Sequence, residues 1–259
     1  MPQGVRRFAV DGYDIYMKDD GVDYWRIVKA CMDENIDQGE LIRNYPAKPV
    51  VTVRRDGVDL SLHPLMYTNP KRMVFRAEMD GRRFVLKRAR MGTVGFKHLL
   101  PGVMGLTYYT RIMRIVNRAV RAGSDVTQDY FLVAEKKLSA FRQEVWLLLG
   151  YVEGEPLGNL PMDVHRREVV ATMEEMFRHG LTMDDITLHN FMVDAKGKVR
   201  AIDLSCRPFT RLQAVKMAIK MNARHAVAFP IRGFANNLLR LALAIRYRLK
   251  RALGGTKDF

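Results

Sequence analysis

The sequence predicts an α+β chain in two parts: a small antiparallel β-sheet carrying one helix, then a mostly helical half. Three observations carry this expectation. Strand-like runs from Pro49 onward are joined at Asp-Gly pairs, one amphipathic segment among them stops on Gly123, and beyond a turn-rich span at Gly150–Gly158 the pattern becomes helical. The 259 residues, 48% of them hydrophobic, suffice for one large domain or for two lobes sharing a cleft.

Residues 1–48 are polar and mixed and read as an N-terminal extension, with a helix in DYWRIVKACMDEN. Residues 49–152 form the predicted sheet part. VVTVRRDGVDLSL turns at Asp56-Gly57 and MVFRAEMDGRRFVLKRA at Asp80-Gly81, each a hairpin signal. TYYTRIMRIVNRAVRAG sets Tyr109, Ile112, Val116 and Val120 at helical spacing before the Gly123 stop. Two more strands follow, DYFLVAEKKL and EVWLLLGYV. Residues 153–259 form the helical part, with VHRREVVATMEEMFRHG as an amphipathic helix ended by Gly180. A short hairpin then runs from FMV through DAKGK to VRAID, and a basic helical tail closes the chain.

Forty-three Lys and Arg against 28 Asp and Glu give a net charge of +15, which points to an anionic partner: phosphate, nucleic acid or an acidic membrane surface. Cys31 and Cys206 are too few for a disulfide framework or a zinc site, so a reducing cytoplasm is expected. No signal-peptide core and no apolar run of about 18–20 residues is present, so the expected protein is soluble or peripheral.

The chemistry concentrates in LTMDDITLHNFMV and VRAIDLS. Asp185 precedes Asn190 by five positions and Asp203 follows it by thirteen, across the short hairpin. That spacing brings three oxygen-bearing side chains to one edge. An Asp and an Asn at the two ends of a hairpin suit Mg2+, a hard cation that takes carboxylate and amide oxygens and keeps places for water and phosphate. Asp185 would then orient or deprotonate a substrate hydroxyl. Taken alone, Asp-x4-Asn is also the composition of a solvated surface turn. It matches a protein-kinase-like catalytic loop followed by an Asp-Phe-Gly-like element, here Asp203-Leu204-Ser205.

Other elements stand in the same order. Lys87 is the central Lys of the apolar run RFVLKRA, where such a lobe holds the Lys that contacts nucleotide phosphates. By itself it reads as an edge-strand Lys kept for solubility. EVWLLLGYVEGEPL is a buried strand entering a linker at Glu153, the form of a hinge whose backbone meets an adenine ring.

YYTRIMRIVNRAVRAGSDVTQDYFLVAEKK, with YVEGEPL, RHGLTMDDITLHNF and AIDLS, resembles the lipopolysaccharide core heptose (II) kinases, bacterial members of the protein-kinase-like fold. The likeness spans Met73 to Ser205 and is most specific over Tyr108 to Lys137. It implies a bilobal fold and transfer of the ATP γ-phosphate to a heptose hydroxyl of the lipopolysaccharide inner core. It further implies that Lys87 holds phosphates, that Asp185 is the catalytic base, and that Asn190 and Asp203 hold Mg2+. The glycolipid substrate implies a cytoplasmic protein, peripheral on the inner membrane. Three departures stand out: no G-x-G-x-x-G loop precedes Lys87, no Glu lies between Lys87 and Glu135, and Asp184 and Thr187 stand where small-molecule kinases commonly carry Gly and a His or Lys. Acceptors of another class, such as an aminoglycoside or a protein, and a non-catalytic membrane scaffold are the alternative readings.

From Arg207 to Phe259 the only acid is Asp258, and NNLLRLALAIRYRLKRAL aligns Leu238, Leu241, Ile245 and Leu249 on one helical face. Such a helix either lies on an anionic membrane surface or packs its apolar face on the second lobe. Nucleic acid is the rival partner; no recognition motif supports it.

Overall fold

The computed structural model describes residues 4–33, 51–55, 57–69, 72–92, 108–139, 142–183, 185–204, 211–225, 227, 237–238, 240–242 and 245. Asp56, Asp184, Ser205, Cys206 and the tail from Arg246 onward, all used in the expectations above, lie outside them. The chain divides into two compact units, Met1–Arg121 with Gln128–Tyr151 and Ala122–Thr127 with Val152–Phe259.

Unit one is built on an antiparallel sheet of eight strands, larger than the small sheet expected. The strands are β1 (Val5–Val10), β2 (Tyr13–Lys18), β3 (Val51–Arg55), β4 (Val58–Asn69), β5 (Arg72–Met79), β6 (Arg82–Gly92), β7 (Tyr130–Ser139) and β8 (Arg142–Gly150). Their order is β1-β2-β7-β8-β6-β5-β4-β3. The surplus comes from the N-terminus, whose strands β1 and β2 join through Asp14↔Glu135 and Ile15↔Ala134. Where the sequence gives Asp-Gly, the backbone takes the left-handed pair that a tight hairpin requires: φ is +50° at Asp80 and +72° at Gly81, and +54° and +79° at Asp11 and Gly12.

Among the described residues two helices flank the sheet, the one expected between its strands and the one expected in the N-terminal extension. Helix α1 (Tyr24–Asp33) buries Tyr24, Trp25, Ile27, Val28 and Cys31 against Leu60, Leu62, Phe75, Leu86, Leu132, Trp146 and Leu148. Full burial of each aliphatic side chain contributes about 1.5–3 kcal/mol. Helix α2 (Tyr108–Arg121) packs on β7, and its buried Ile112, Met113 and Val116 fall outside that core.

Glu144 is the electrostatic anchor of the α1 side. Its carboxylate accepts from the Tyr13 hydroxyl (3.0 Å), the Trp146 indole (3.0 Å), Arg88 (3.2 Å) and Arg90 (2.7 Å). Burial pushes its pKa upward, but the donors from Arg90, Trp146 and Arg88 outweigh burial and hold it down at about 2. A depressed carboxylate contributes stability above its unfolded pKa and loses it as pH falls toward the folded value. Glu144→Ala removes the carboxylate facing Arg88, whose side chain is only 16% exposed, and should cost about 3 kcal/mol in urea denaturation at neutral pH. The wild-type advantage over this variant should shrink as pH falls through the range from 4.5 to about 2.

Unit two carries β9 (Glu155–Pro156), helix α3 (Met162–Arg178), β10 (Phe191–Val193), β11 (Val199–Ala201) and helix α4 (Arg211–His225). The three short strands form a sheet of order β11-β10-β9. The α3 helix stops at Gly180, φ +75°, and its Thr172 hydroxyl donates to the Val199 carbonyl at 2.9 Å, tying helix to hairpin.

Candidate active site

Three of the five sequence-derived site residues gather within unit two, around the β10–β11 hairpin. Phe191 pairs with Ala201 and Val193 with Val199, so Asn190 and Ile202 leave the hairpin side by side, and the Ile202 N–H donates to the Asn190 carbonyl at 2.8 Å. Asp203 therefore follows directly beside Asn190. The far end is closed by Asp194, whose carboxylate accepts the Lys196 and Lys198 N–H groups at 2.9 and 3.0 Å. These backbone hydrogen bonds hold its pKa below the usual Asp range. Lys198 and Arg200 pair with Asp125, whose carboxyl is lowered chiefly by the Lys198 hydrogen bond.

Asp185 and Asn190 are joined directly. After Thr187 the chain takes a 3-10 turn, Leu188–Asn190, and the Asn190 amide nitrogen donates to the Asp185 carbonyl at 2.9 Å. With its nitrogen so committed, the amide presents its oxygen elsewhere, the atom a hard cation takes. Buried Leu181, Met183, Ile186, Phe191 and Leu204 root the segment, while Asp185 and Asp203 are exposed.

Asp203 adopts φ +56°. Among the described residues the other two non-Gly residues with positive φ, Asp11 and Asp80, stand in Asp-Gly turns. Asp203 does not, and buried Leu204 follows it. A left-handed backbone outside a tight turn is strain of the kind that marks functional positions. Among the described residues no three His, Cys, Asp or Glu side chains gather as a metal cluster. The donor set here is one carboxylate and one amide oxygen, a fit for Mg2+, which keeps several waters.

The linker supplies a further part that the sequence reading missed. Gly154 has φ +136°, and a Cβ there would meet the Val193 carbonyl oxygen at 2.2 Å. A Cβ at Gly158 would meet the His189 ring at 2.5 Å. Glycine at both positions lets the linker lie against the hairpin and the loop. Two glycines within EGEPLGN were the available signal, but which backbone they would approach is a tertiary fact. Glu153 itself is exposed in this linker.

Lys87 lies in unit one. It pairs in register with Val74 of β5 and Leu147 of β8, so β6 is interior and the edge-strand reading of this Lys is corrected. Its side chain is half-buried. A pocket in the same unit, lined by Tyr13, Cys31, Met73, Arg88, Glu144 and Trp146, is polar because of the Glu144 anchor. That carboxylate is already satisfied by four donors, so the pocket reads as structural.

Comparison with known proteins bears on the same segments. Residues 71–255 match the family described as lipopolysaccharide core biosynthesis protein (WaaY). The chain is 26% identical over 161 residues to the lipopolysaccharide core heptose(II) kinase WaaY of Escherichia coli strain K12, covering 61% of this chain and 67% of that protein. It is 24% identical over 225 residues to a protein of the same name from Escherichia coli, covering 86% and 87%. The match takes in Lys87, Glu153, the loop at Asp185, the hairpin and most of the basic tail, and by it the chain belongs to the WaaY family of lipopolysaccharide core biosynthesis proteins.

Proposed function

We propose that the chain is an ATP-dependent kinase that phosphorylates a heptose of the lipopolysaccharide inner core, on a bilobal protein-kinase-like scaffold with a lobe boundary near Val152. The observation that carries this is the Asp185–Asn190–Asp203 arrangement, in which one hydrogen bond ties a candidate base to a candidate metal ligand. The family membership and the names of its relatives agree with it.

In this reading the Asp185 carboxylate orients the heptose hydroxyl and takes its proton. The hydroxyl oxygen forms a bond to the γ-phosphorus, the bond to the β–γ bridging oxygen breaks, and ADP leaves. Asp203 and the Asn190 amide oxygen would hold Mg2+, which supplies charge neutralisation to the phosphates. Lys87 would hold ATP phosphates, and the linker backbone at Glu153 would meet the adenine. Lys87→Ala should raise KM for ATP by about tenfold or more, the worth of one charged hydrogen bond. Unchanged KM and turnover would remove Lys87 from the site.

The tail deepens the same reading. Leu238, Leu241 and Ile245 are 57%, 59% and 49% exposed, an apolar stripe on a segment rich in Lys and Arg. No helix among the described residues is long and apolar enough to cross a membrane. The exposed stripe and the basic charge support a peripheral position on the anionic inner-membrane surface, with the glycolipid as substrate. Replacing Arg246, Arg248, Lys250 and Arg251 with Gln should remove roughly 4 kcal/mol of attraction to acidic vesicles, at about 1 kcal/mol per residue. Wild-type binding should weaken as salt rises. Wild type that ignores acidic vesicles at low salt, or a Gln variant that unfolds, would make the tail a structural helix.

The function is tested by incubating the protein with ATP, Mg2+ and deacylated core oligosaccharide and following ADP. Release of ADP that depends on the oligosaccharide is expected. ADP release elicited by another acceptor, and not by core sugar, would overturn the heptose assignment.

A further inference from the structure

Helix α4 has buried Ala214, Val215, Met217, Ala218 and Met221 along one side. That side meets the loop, where the Met183 N–H points to the Met217 sulfur at 3.3 Å. One turn past Met221, the helix ends in Arg224 and His225, and both turn to the peptide that follows Asp185. The Arg224 guanidinium donates to the Ile186 carbonyl at 3.4 Å, a long contact to a buried residue's backbone. His225 also bonds the Ile186 backbone, yet burial first and the Arg224 charge second hold its pKa below the ordinary His value. At neutral pH Arg224 is thus the charged member of the pair. Between Asp185 and Asn190 the loop has no Lys or Arg, and its His189 ring rests on Gly158.

Phosphoryl transfer at Asp185 brings a carboxylate and a multiply charged phosphate together, a step that needs a fixed cation close by. We propose that Arg224 supplies this charge: the Ile186 carbonyl takes one of its N–H donors, fixing the guanidinium one residue from the catalytic base. A guanidinium has five donors in a rigid fork, so the rest can serve a phosphate. The proposal rests on the kinase reading above and adds α4 to its machinery.

Three variants test it in the coupled assay with ATP and deacylated core oligosaccharide, each with its Tm measured. Arg224→Gln, which keeps an amide donor and loses the charge, should lower kcat on the order of 10²-fold with KM for ATP unchanged. Arg224→Lys should retain most of kcat. Adding Thr187→Lys to Arg224→Gln restores a cation from within the loop and should recover about tenfold; a strut that merely braced Ile186 would not be rescued this way. Arg224→Gln turning over at the wild-type rate would overturn the proposal, as would equal losses in the Gln and Lys variants with no rescue by Thr187→Lys. Asp185→Ala in the same assay separates the two levels. If it stays active the kinase-site reading fails; if it is dead while Arg224→Gln is not, only the role of Arg224 fails.

Discussion

Replacing Asp185 with Ala should lower phosphotransfer by about 10³-fold while leaving the fold intact. The carboxylate is exposed, and the hydrogen bond that organises the loop goes to the backbone carbonyl of Asp185, which the substitution retains. Stability should therefore move by no more than about 0.5 kcal/mol, as for an ordinary surface change. KM for ATP should change little, because the base acts on the acceptor hydroxyl. Steady-state kinetics beside a urea titration checks both halves. Near-wild-type turnover would mean that the proton leaves the hydroxyl by another route.

Asp203 gives the second large effect, with a difference in stability between two variants. Both Asp203→Ala and Asp203→Gly remove the carboxylate, so both should lose about 10³-fold in turnover. At φ +56°, however, alanine keeps a Cβ that the left-handed backbone disfavours, and glycine does not. The Gly variant should be more stable than the Ala variant by about 1 kcal/mol, with both inactive. Equal stability would indicate that the backbone relaxes to an ordinary conformation once the carboxylate is gone. Retained activity in either variant would remove Asp203 from the metal site.

Local signals account for much of this architecture. The Asp-Gly pairs fixed the β5–β6 hairpin, the helical spacing before Gly123 gave α2, and Asp185, Asn190 and Asp203 could be named because a two-stranded hairpin brings its two ends together by geometry alone. Strands β1 and β2 were missed for a physical reason. VRRFAV and YDIYMK are six residues each and mix charged with apolar positions, and they become strands because β2 pairs with β7, more than a hundred residues away, and β1 pairs with β2. The sequence names Lys87 as the phosphate-contacting Lys, and the edge-strand alternative for it taken alone arises because a Lys in an apolar run is most easily solvated there; its interior place depends on β8 arriving beside β6. Arg224 carries no motif. Its meaning comes from a helix end reaching a carbonyl 38 positions earlier.

The central claim is that this chain moves a phosphoryl group from ATP to a core heptose. The most direct measurement is mass spectrometry of deacylated core oligosaccharide after incubation with wild-type protein, ATP and Mg2+, with fragmentation to place the modification. One added phosphoryl group on a heptose, formed in step with ADP and missing with Asp185→Ala, is the predicted result. ADP formed without a phosphorylated heptose, or a phosphoryl group on another sugar, would contradict it.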